Sequence, residues 1–571
     1  MELEQLTAIV QDTTFRNDDN GYTVLHAVVG RTEHTIVGIL PELSPGENVT
    51  FEGRWTEHPV YGRQFSANKC TITPPTGKSA IEKYLGSGLI RGIGPSTAKL
   101  IVNHFGEEAM DIMDEHPERL TEIPGIGPKK AAMILESYQE QMGMRRALVF
   151  LQKYGISPNL AMKVAKYYGE NTVTLIRQNP YRMVTDIEGV GFLTADRIAL
   201  SMGIDPMSEH RVRAALFYLL TEASSNGGHT YLPHDMLKQR AAAMLRADED
   251  LVDRQITQGL LEKMMVGFSM PGVEDAVCLP LYFHAENEVA MRLHYLMTAR
   301  PYKRVSGLSE RIAAYEKEQG VRFSDRQKKA IRSAVEEGVL VITGGPGTGK
   351  TTIIRCILSL LKEDNDILLC APTGRAAKRM SEATGEEAKT IHRLLEYGGD
   401  SETFARSQDY PLECDCLIVD EMSMVDVVLM RGLLRAITPG TRLILVGDAD
   451  QLPSVGAGNV LHDILESDSV PNVRLTDIFR QDESSMIVLN AHKINHGEMP
   501  VLKNKDTDFF FEKKMLQSEA AQTICQLLQT RLPKYLRFPQ DKWRSEAVRT
   551  IQVLTPTKKG DCGAINLNQL L

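Results

Sequence analysis

Residues 344–352 read Gly-Gly-Pro-Gly-Thr-Gly-Lys-Thr-Thr, a run that few folds can use. It fits the phosphate loop G-x-x-x-x-G-K-[ST], with Gly344, Gly349, Lys350 and Thr351 in the defining places. An apolar run at 339–343 enters it as a strand, and an apolar-periodic run at 351–361 leaves it as a helix. A glycine-rich turn in that setting presents backbone N–H groups beside the positive end of a helix, and together they wrap a polyphosphate. The expected nucleotide contacts are therefore Gly345, Pro346, Gly347, Thr348, Gly349, Lys350, Thr351 and Thr352. Lys350 neutralises the outer phosphates and the Thr351 hydroxyl holds a Mg²⁺ ion. The plain alternative is a strand–helix turn with no ligand, but strand, loop, lysine, hydroxyl and helix all agree against it.

Such a loop names a broad class of ATPases and GTPases, and downstream residues narrow it. The strand Cys416-Leu-Ile-Val419 ends in two carboxylates. Asp420 is the expected Mg²⁺ ligand through water, and Glu421 the base that orients and deprotonates the attacking water. A third strand, Arg442–Val446, runs into Gly447-Asp-Ala-Asp-Gln451, where Gln451 stands ready to read the γ-phosphate. Arg480, in Ile478-Phe-Arg-Gln481, is the candidate arginine finger aimed at charge developing in the transition state. Taken singly, Gln451 is a loop glutamine and Arg480 a surface arginine; their order after two strand ends gives them roles.

This set resembles the superfamily 1 DNA helicases of the RecD-like branch, in the stand-alone type with a long N-terminal extension. The resemblance is carried by Gly345-Pro-Gly-Thr-Gly-Lys-Thr351, Ala371-Pro-Thr-Gly-Arg-Ala-Ala377, Val419-Asp-Glu-Met-Ser-Met424, Gly447-Asp-Ala-Asp-Gln-Leu-Pro453 and Phe479-Arg-Gln481. It implies an ATP-dependent helicase moving 5′→3′ on single-stranded DNA in recombination or repair, with ATP and Mg²⁺ as cofactors. The implied partners are single-stranded DNA and duplex junctions. Phe323-Ser-Asp-Arg-Gln327 resembles the family's adenine-reading motif, which makes Gln327 a nucleobase contact. Thr373 and Arg375 fall where the family touches the DNA backbone, and His392, in Thr390-Ile-His-Arg-Leu-Leu395, on a further DNA-side motif. His392 also reads as a packed core histidine or one hydrogen-bonded to backbone, and Lys378 and Arg379 as either phosphate contacts or solvated charge.

The N-terminal part has its own signals. Residues 23–29, 34–38, 48–52 and 64–70 read as short strands between turns, and residues 1–78 are expected to form a small OB-like β-barrel. Trp55, Tyr61 and Phe65 are either base-stacking platforms or packing residues. Then Ile90-Arg-Gly-Ile-Gly-Pro95, Ile123-Pro-Gly-Ile-Gly-Pro128 and Ile187-Glu-Gly-Val-Gly-Phe192 repeat one pattern, each followed by a helical run. This is the signature of the helix–hairpin–helix, whose glycines allow a tight turn with amides aimed at a DNA phosphate. Gly125, Gly127, Lys129 and Lys130 form the best candidate DNA contact, whereas Glu188 marks the third element as structural.

The chain is thus expected to be a multidomain α/β protein. A RecA-like phosphate-loop motor core is preceded by the barrel and a helix–hairpin–helix region at 79–205. Residues 206–305 read as helical and winged-helix-like, 306–500 as the first motor lobe with an accessory insertion at 381–412, and 501–571 as the start of an incomplete second lobe. In that last part, 550–556 reads as a strand and 563–571 as a helix. Because the resemblance implies a whole second lobe, the chain is expected to be a truncated copy of a longer protein. A non-motor DNA-binding module and an ATP-dependent switch stay open as alternatives to the helicase.

At 571 residues several cores are expected. A net charge of −9 means that DNA affinity must come from local patches and backbone amides. The eight cysteines lack metal-site spacing and read as reduced thiols of a cytoplasmic protein. There is no signal-peptide pattern and no run of about 18 apolar residues, so no membrane partner is expected.

Overall fold

The computed structural model describes Glu4–Leu571 apart from residues 18–21, 31, 41–42, 44, 46, 59–61, 74–77, 87–89, 188, 300–305, 346, 399–402, 477–484, 503–506 and 540–542. Five strands, β1 (Glu4–Arg16), β2 (Tyr22–Val29), β3 (Thr32–Ile39), β4 (Asn48–His58) and β5 (Gly62–Thr73), close into a barrel in the order β1-β2-β3-β5-β4. Alternation drives it: Leu25, Ile36, Phe51 and Phe65 point inward and are fully buried. Two glycines let the small barrel close, since a Cβ on Gly38 or Gly53 would collide with the backbone of Ala67 or Ser66. Phe65 is core. Trp55 packs edge-on against it at 5.2 Å, with the Arg63 guanidinium 4.5 Å from the Trp55 ring centroid. Both therefore pack, and Tyr61 lies outside the described residues.

The helix–hairpin–helix region is not one unit. Hairpins at Ile90–Pro95 and Ile123–Pro128 share a core running from Ile81 to Tyr138. The hairpin at 187–192 belongs instead to a second core that reaches Leu279. Helix Pro128–Lys153 joins the two, burying Ile134 and Tyr138 in the first and Leu148 and Leu151 in the second. The expected boundary at 205/206 therefore cuts through a packed core. Apolar contacts, invisible as a composition shift, decide this.

Polar contacts reinforce that second core. Arg211, on helix Glu209–Gly227, grips Asp196 of helix Phe192–Ser201 with both prongs of its guanidinium, at 2.7 and 3.0 Å. It also donates to the Pro206 and Leu245 carbonyls, while the Tyr181 hydroxyl donates to Asp196. After Glu209–Gly227 come β6 (Tyr231–Pro233), helices His234–Leu245 and Glu249–Leu261, β7 (Val266–Met270) and β8 (Val273–Cys278). They form a sheet ordered β6-β8-β7, and the sequence of elements is that of a winged helix.

The motor sheet is six-stranded, in the order β11-β10-β12-β13-β9-β14, and every pairing in it is parallel. Its strands are β9 (Val339–Gly344), β10 (Ile367–Ala371), β11 (Ala388–Thr390), β12 (Cys416–Val419), β13 (Arg442–Gly447) and β14 (Asn472–Leu475). The central strands are apolar along their middles because both faces are covered, with polar Arg442 and Thr343 buried near strand ends. Val339, Val341, Leu417, Leu443 and Leu445 face one helical layer, and Leu340, Ile342, Ile418, Ile444 and Val446 the other.

Two expected limits move. Helix Pro280–Thr298, read with the winged-helix segment, buries Ala285, Val289, Leu293 and Leu296 in the motor core, so the motor packs from well before 306. Within the supposed insertion at 381–412, β11 is an edge strand of the main sheet, and Ile391, Leu394 and Leu395 are core. Its shortness and polar flanks hid it from sequence.

One carboxylate binds helix 280–298 to the motor. Glu288 accepts from Arg292 Nε (2.9 Å), Arg431 Nε (2.6 Å) and Arg435 Nε (2.7 Å). Burial pushes its pKa up, but the three guanidiniums outweigh burial and hold it at about 2. A depressed carboxylate stabilises above its unfolded value, and that stability disappears as pH falls through the folded one. Between about pH 4.5 and 2 the join is expected to lose roughly 2–3 kcal/mol, allowing for solvent around half-exposed Arg435. Unfolding followed against pH checks this: Glu288→Gln should remove that component, and identical pH profiles would contradict it.

Beyond Ser485 the chain is mostly helical, and Ala521 and Leu567 are its buried apolar side chains among the described residues. The strand expected at 550–556 is absent. Thr550 ends helix Trp543–Thr550, Leu554 is 81% exposed, and among the described residues no neighbouring strand offers a ladder to pair with. Helix Ala564–Leu570 follows.

Candidate functional site

β9 delivers the chain into the phosphate loop, and the loop's geometry needs its glycines. Gly347 and Gly349 both have φ +83°, a region costly for any residue with a Cβ. Thr348 is buried, with its hydroxyl donating to the Gly345 carbonyl at 2.8 Å. Helix Lys350–Leu361 starts with no side-chain cap, so its first-turn N–H groups stay available to an anion. The Lys350 ammonium turns into the loop, donating to the Gly344 carbonyl and, at 3.3 Å, to that of Gly345. Thr351 is exposed and Thr352 half-buried at the helix start, while Pro346 lies outside the described residues.

Gln327 sits against this loop in a way the sequence reading missed. It is 4% exposed, and its amide nitrogen donates to the Thr348 carbonyl at 2.9 Å. Its amide oxygen accepts from the Ser324 N–H at 3.0 Å, completing a capping box on helix Asp325–Glu336. A Cβ on Gly349 would lie 2.5 Å from the Gln327 amide nitrogen. In this structure Gln327 braces the loop. The S-x-x-Q spacing was the available signal.

The end of β12 brings the carboxylates in. Asp420 accepts from the Glu421 N–H at 2.9 Å. Glu421 has φ +54°, unusual for a non-glycine residue and typical of strain held at functional sites. Burial raises the pKa of both, while Lys350 and Arg379 pull them down and proximity to Asp420 adds to the rise at Glu421. Arg379, read as either a phosphate contact or solvated charge, thus acts electrostatically on this pair. At the end of β13, buried Asp448 accepts from Gln451 Nε2 at 3.2 Å and closes the turn. The site therefore gathers Lys350, Asp420, Glu421 and Gln451 at the carboxyl ends of β9, β12 and β13, where open parallel sheets bind ligands. Arg480 lies outside the described residues.

The DNA-side candidates are dispersed. Thr373 caps helix Gly374–Thr384, accepting from the Ala376 N–H at 3.2 Å; Arg375 is exposed beside Gln552. His392 is exposed rather than core, edge-on to Tyr397 at 5.4 Å with Phe404 behind. Gly125, Gly127 and Lys129 are exposed around an open turn, while Lys130 is half-buried and donates to the Thr97 hydroxyl at 3.3 Å.

The hairpins are not equivalent. At the first, Arg91 N–H donates to the Ser137 hydroxyl and Gly92 abuts Met133 and Ile134, so that turn is closed. A fourth turn escaped the sequence reading: Gly155 (φ +73°), Ile156 and Ser157 lead into helix Pro158–Tyr168, with the Ala161 N–H bonded to the Ser157 carbonyl. The other hairpins make the same bond to a glycine, and serine in that place broke the pattern.

A parallel sheet with this loop and these carboxylates defines a phosphate-loop ATPase of the motor class. Family profiles agree with the architecture: an AAA domain matches residues 327–457, and the OB-fold domain of the ATP-dependent DNA helicase YrrC matches 3–75. A SAM-like helix-hairpin-helix tandem matches 87–140, and the helix-hairpin-helix domain of the ATP-dependent RecD2 DNA helicase matches 140–231. The ATP-dependent RecD2 DNA helicase of Deinococcus radiodurans is 30% identical over 98% of this chain and 77% of its own length. The RecD subunit of the RecBCD enzyme from Mycolicibacterium smegmatis is 39% identical over 34% of this chain and 38% of its own. A Pif1 helicase from Candida albicans aligns over 41% of this chain and 56% of its own, at 20% identity and a TM-score of 0.26, too slight a likeness to bear on the fold. The chain belongs to the RecD2 family of ATP-dependent DNA helicases.

Proposed function

We propose that this helicase burns ATP at the Lys350 site to step 5′→3′ along single-stranded DNA, acting at duplex junctions in recombination or repair. The observation that supports this most directly is the convergence of Lys350, Asp420, Glu421 and Gln451 at adjacent strand ends. Thr351 and Asp420 offer the hard oxygen donors that Mg²⁺ prefers, and the burial-raised Asp420 carboxyl is one a cation would relieve. Mg²⁺ held there supplies charge neutralisation at the β- and γ-phosphates. Lys350 leaves the loop carbonyls for the phosphates, Glu421 takes the proton of the attacking water, and Gln451 senses the γ-phosphate.

Arg480 offsets the negative charge that develops on the transferred phosphoryl group in the transition state, and Gln327 keeps Thr348 and the loop in place beside the adenine. Thr373, Arg375 and His392 hold the tracked strand. Gly125, Gly127, Lys129 and Lys130 grip the backbone without reading sequence. Single-stranded tracking, junctions, polarity and a cytoplasmic setting rest on the family resemblance. Among the described residues, no helix is long and apolar enough to cross a membrane.

Titration with a fluorescent ATP analogue tests the nucleotide site. Lys350→Ala is expected to weaken binding about 10–100-fold, the worth of a charge-assisted bond. Equal affinities would contradict the site.

A further inference from the structure

The loop that carries Gln451 does not end on the motor. Beyond Gln451 it arches outward, with Leu452 and Val455 85% and 86% exposed. It is then pinned: the Ser454 hydroxyl lies 3.0 Å from the Gly456 carbonyl oxygen and 2.8 Å from that of Gly458, and its proton serves one at a time. The Gly458 N–H next crosses to the winged-helix unit and donates to the Gly228 carbonyl at 2.9 Å.

Both sides of that crossing are held tightly. On the motor, Val427 N–H donates to the Ala457 carbonyl at 3.0 Å. A Cβ on Gly456 would collide with Asp426, the cap of helix Val427–Arg435, and one on Gly458 would lie 3.0 Å from Val427 and 3.5 Å from Thr230. On the winged-helix side, Gly228 (φ +68°) closes helix Glu209–Gly227, with Gly228 and His229 N–H groups donating to Ser224 and Ala223. The next residue, Thr230, faces the Glu286 carboxyl of helix 280–298 and draws its pKa down against the rise that burial imposes. A short, doubly anchored segment therefore joins Gln451 to a rigid turn of the N-terminal half.

We propose that the turn Gly227–Thr230 is a positioning element of the nucleotide site, holding the far end of the loop that carries Gln451. This rests on Gln451 sensing the γ-phosphate. Ligand that fixes Gln451 also fixes Gly458 and hence the turn, and by reciprocity a shift of the winged-helix unit resets Gln451. The Arg211–Asp196 pair extends the link toward the hairpin at 187–192.

Hydrogen exchange on the full chain, with and without Mg²⁺ and a non-hydrolysable ATP analogue, tests it. Slowed exchange is expected both at 344–352 and, by about fivefold, at 226–232. Ser454→Ala should keep the response at 344–352 and lose that at 226–232. Gly458→Ala should do the same, and melting curves show that each variant is folded. Protection at 344–352 with none at 226–232 in the unmodified chain would overturn the link, as would a remote response that survives both substitutions. Failure at 344–352 as well would overturn the nucleotide-site reading itself, and the link with it.

Discussion

Glu421→Gln is expected to lower ATP turnover about 10²–10⁴-fold, the usual worth of a general base, while leaving nucleotide affinity close to that of the unmodified chain. Glutamine has the same shape and keeps the αL turn after β12 no more strained than it is now. What it lacks is the carboxylate. Burial, and then Asp420 beside it, raises the Glu421 pKa, the direction that strengthens a carboxylate as a base, with Lys350 and Arg379 limiting the rise. Because Lys350 and the loop amides are untouched, binding should persist. Steady-state turnover together with analogue titration separates the two effects. Turnover near that of the unmodified chain would remove Glu421 from the chemistry.

Arg211→Ala is expected to cost about 3–5 kcal/mol in the core running from Ala147 to Leu279, the loss typical of breaking one partner of a buried pair. The side chains of Arg211 and Asp196 are 9% and 14% exposed. Removing the guanidinium leaves Asp196 with the Tyr181 hydroxyl and strips two backbone carbonyls of their donor. Arg211→Lys should rescue little, since an ammonium cannot span both carboxylate oxygens. In thermal unfolding the transition of this unit should fall by roughly 10 °C. An unchanged midpoint, or full rescue by lysine, would show that the pair is ornamental.

The legible parts of this fold were those where one stretch of chain carries its own reason. The phosphate loop, the apolar strands on either side of it and the Asp420-Glu421 step need no distant partner to be recognised. The barrel strand 23–29 is likewise legible, because its burial alternates cleanly, whereas 64–70 alternates only around Phe65 and Ala67 before a register shift. β1 was missed because register shifts between Val10 and Asp12 and between Thr13 and Phe15 break its period. β11 was missed because its neighbour β10, not its own residues, makes it a strand. Conversely, 550–556 has strand-forming residues but, among the described residues, no strand beside it to pair with.

At the site, sequence order gave Lys350, Asp420, Glu421 and Gln451, but not the contacts that cross long separations. The Gln327–Thr348 brace, the Arg379 influence on the carboxylates and the Gly458–Gly228 bond exist only once separate elements pack. The triple-arginine grip on Glu288 is of the same kind.

The most direct measurement is ATP hydrolysis by this chain with and without single-stranded DNA, beside a Lys350→Ala control. Turnover is expected to rise strongly with DNA and to vanish in the control. DNA binding without any stimulation, or stimulation that survives Lys350→Ala, would contradict this expectation.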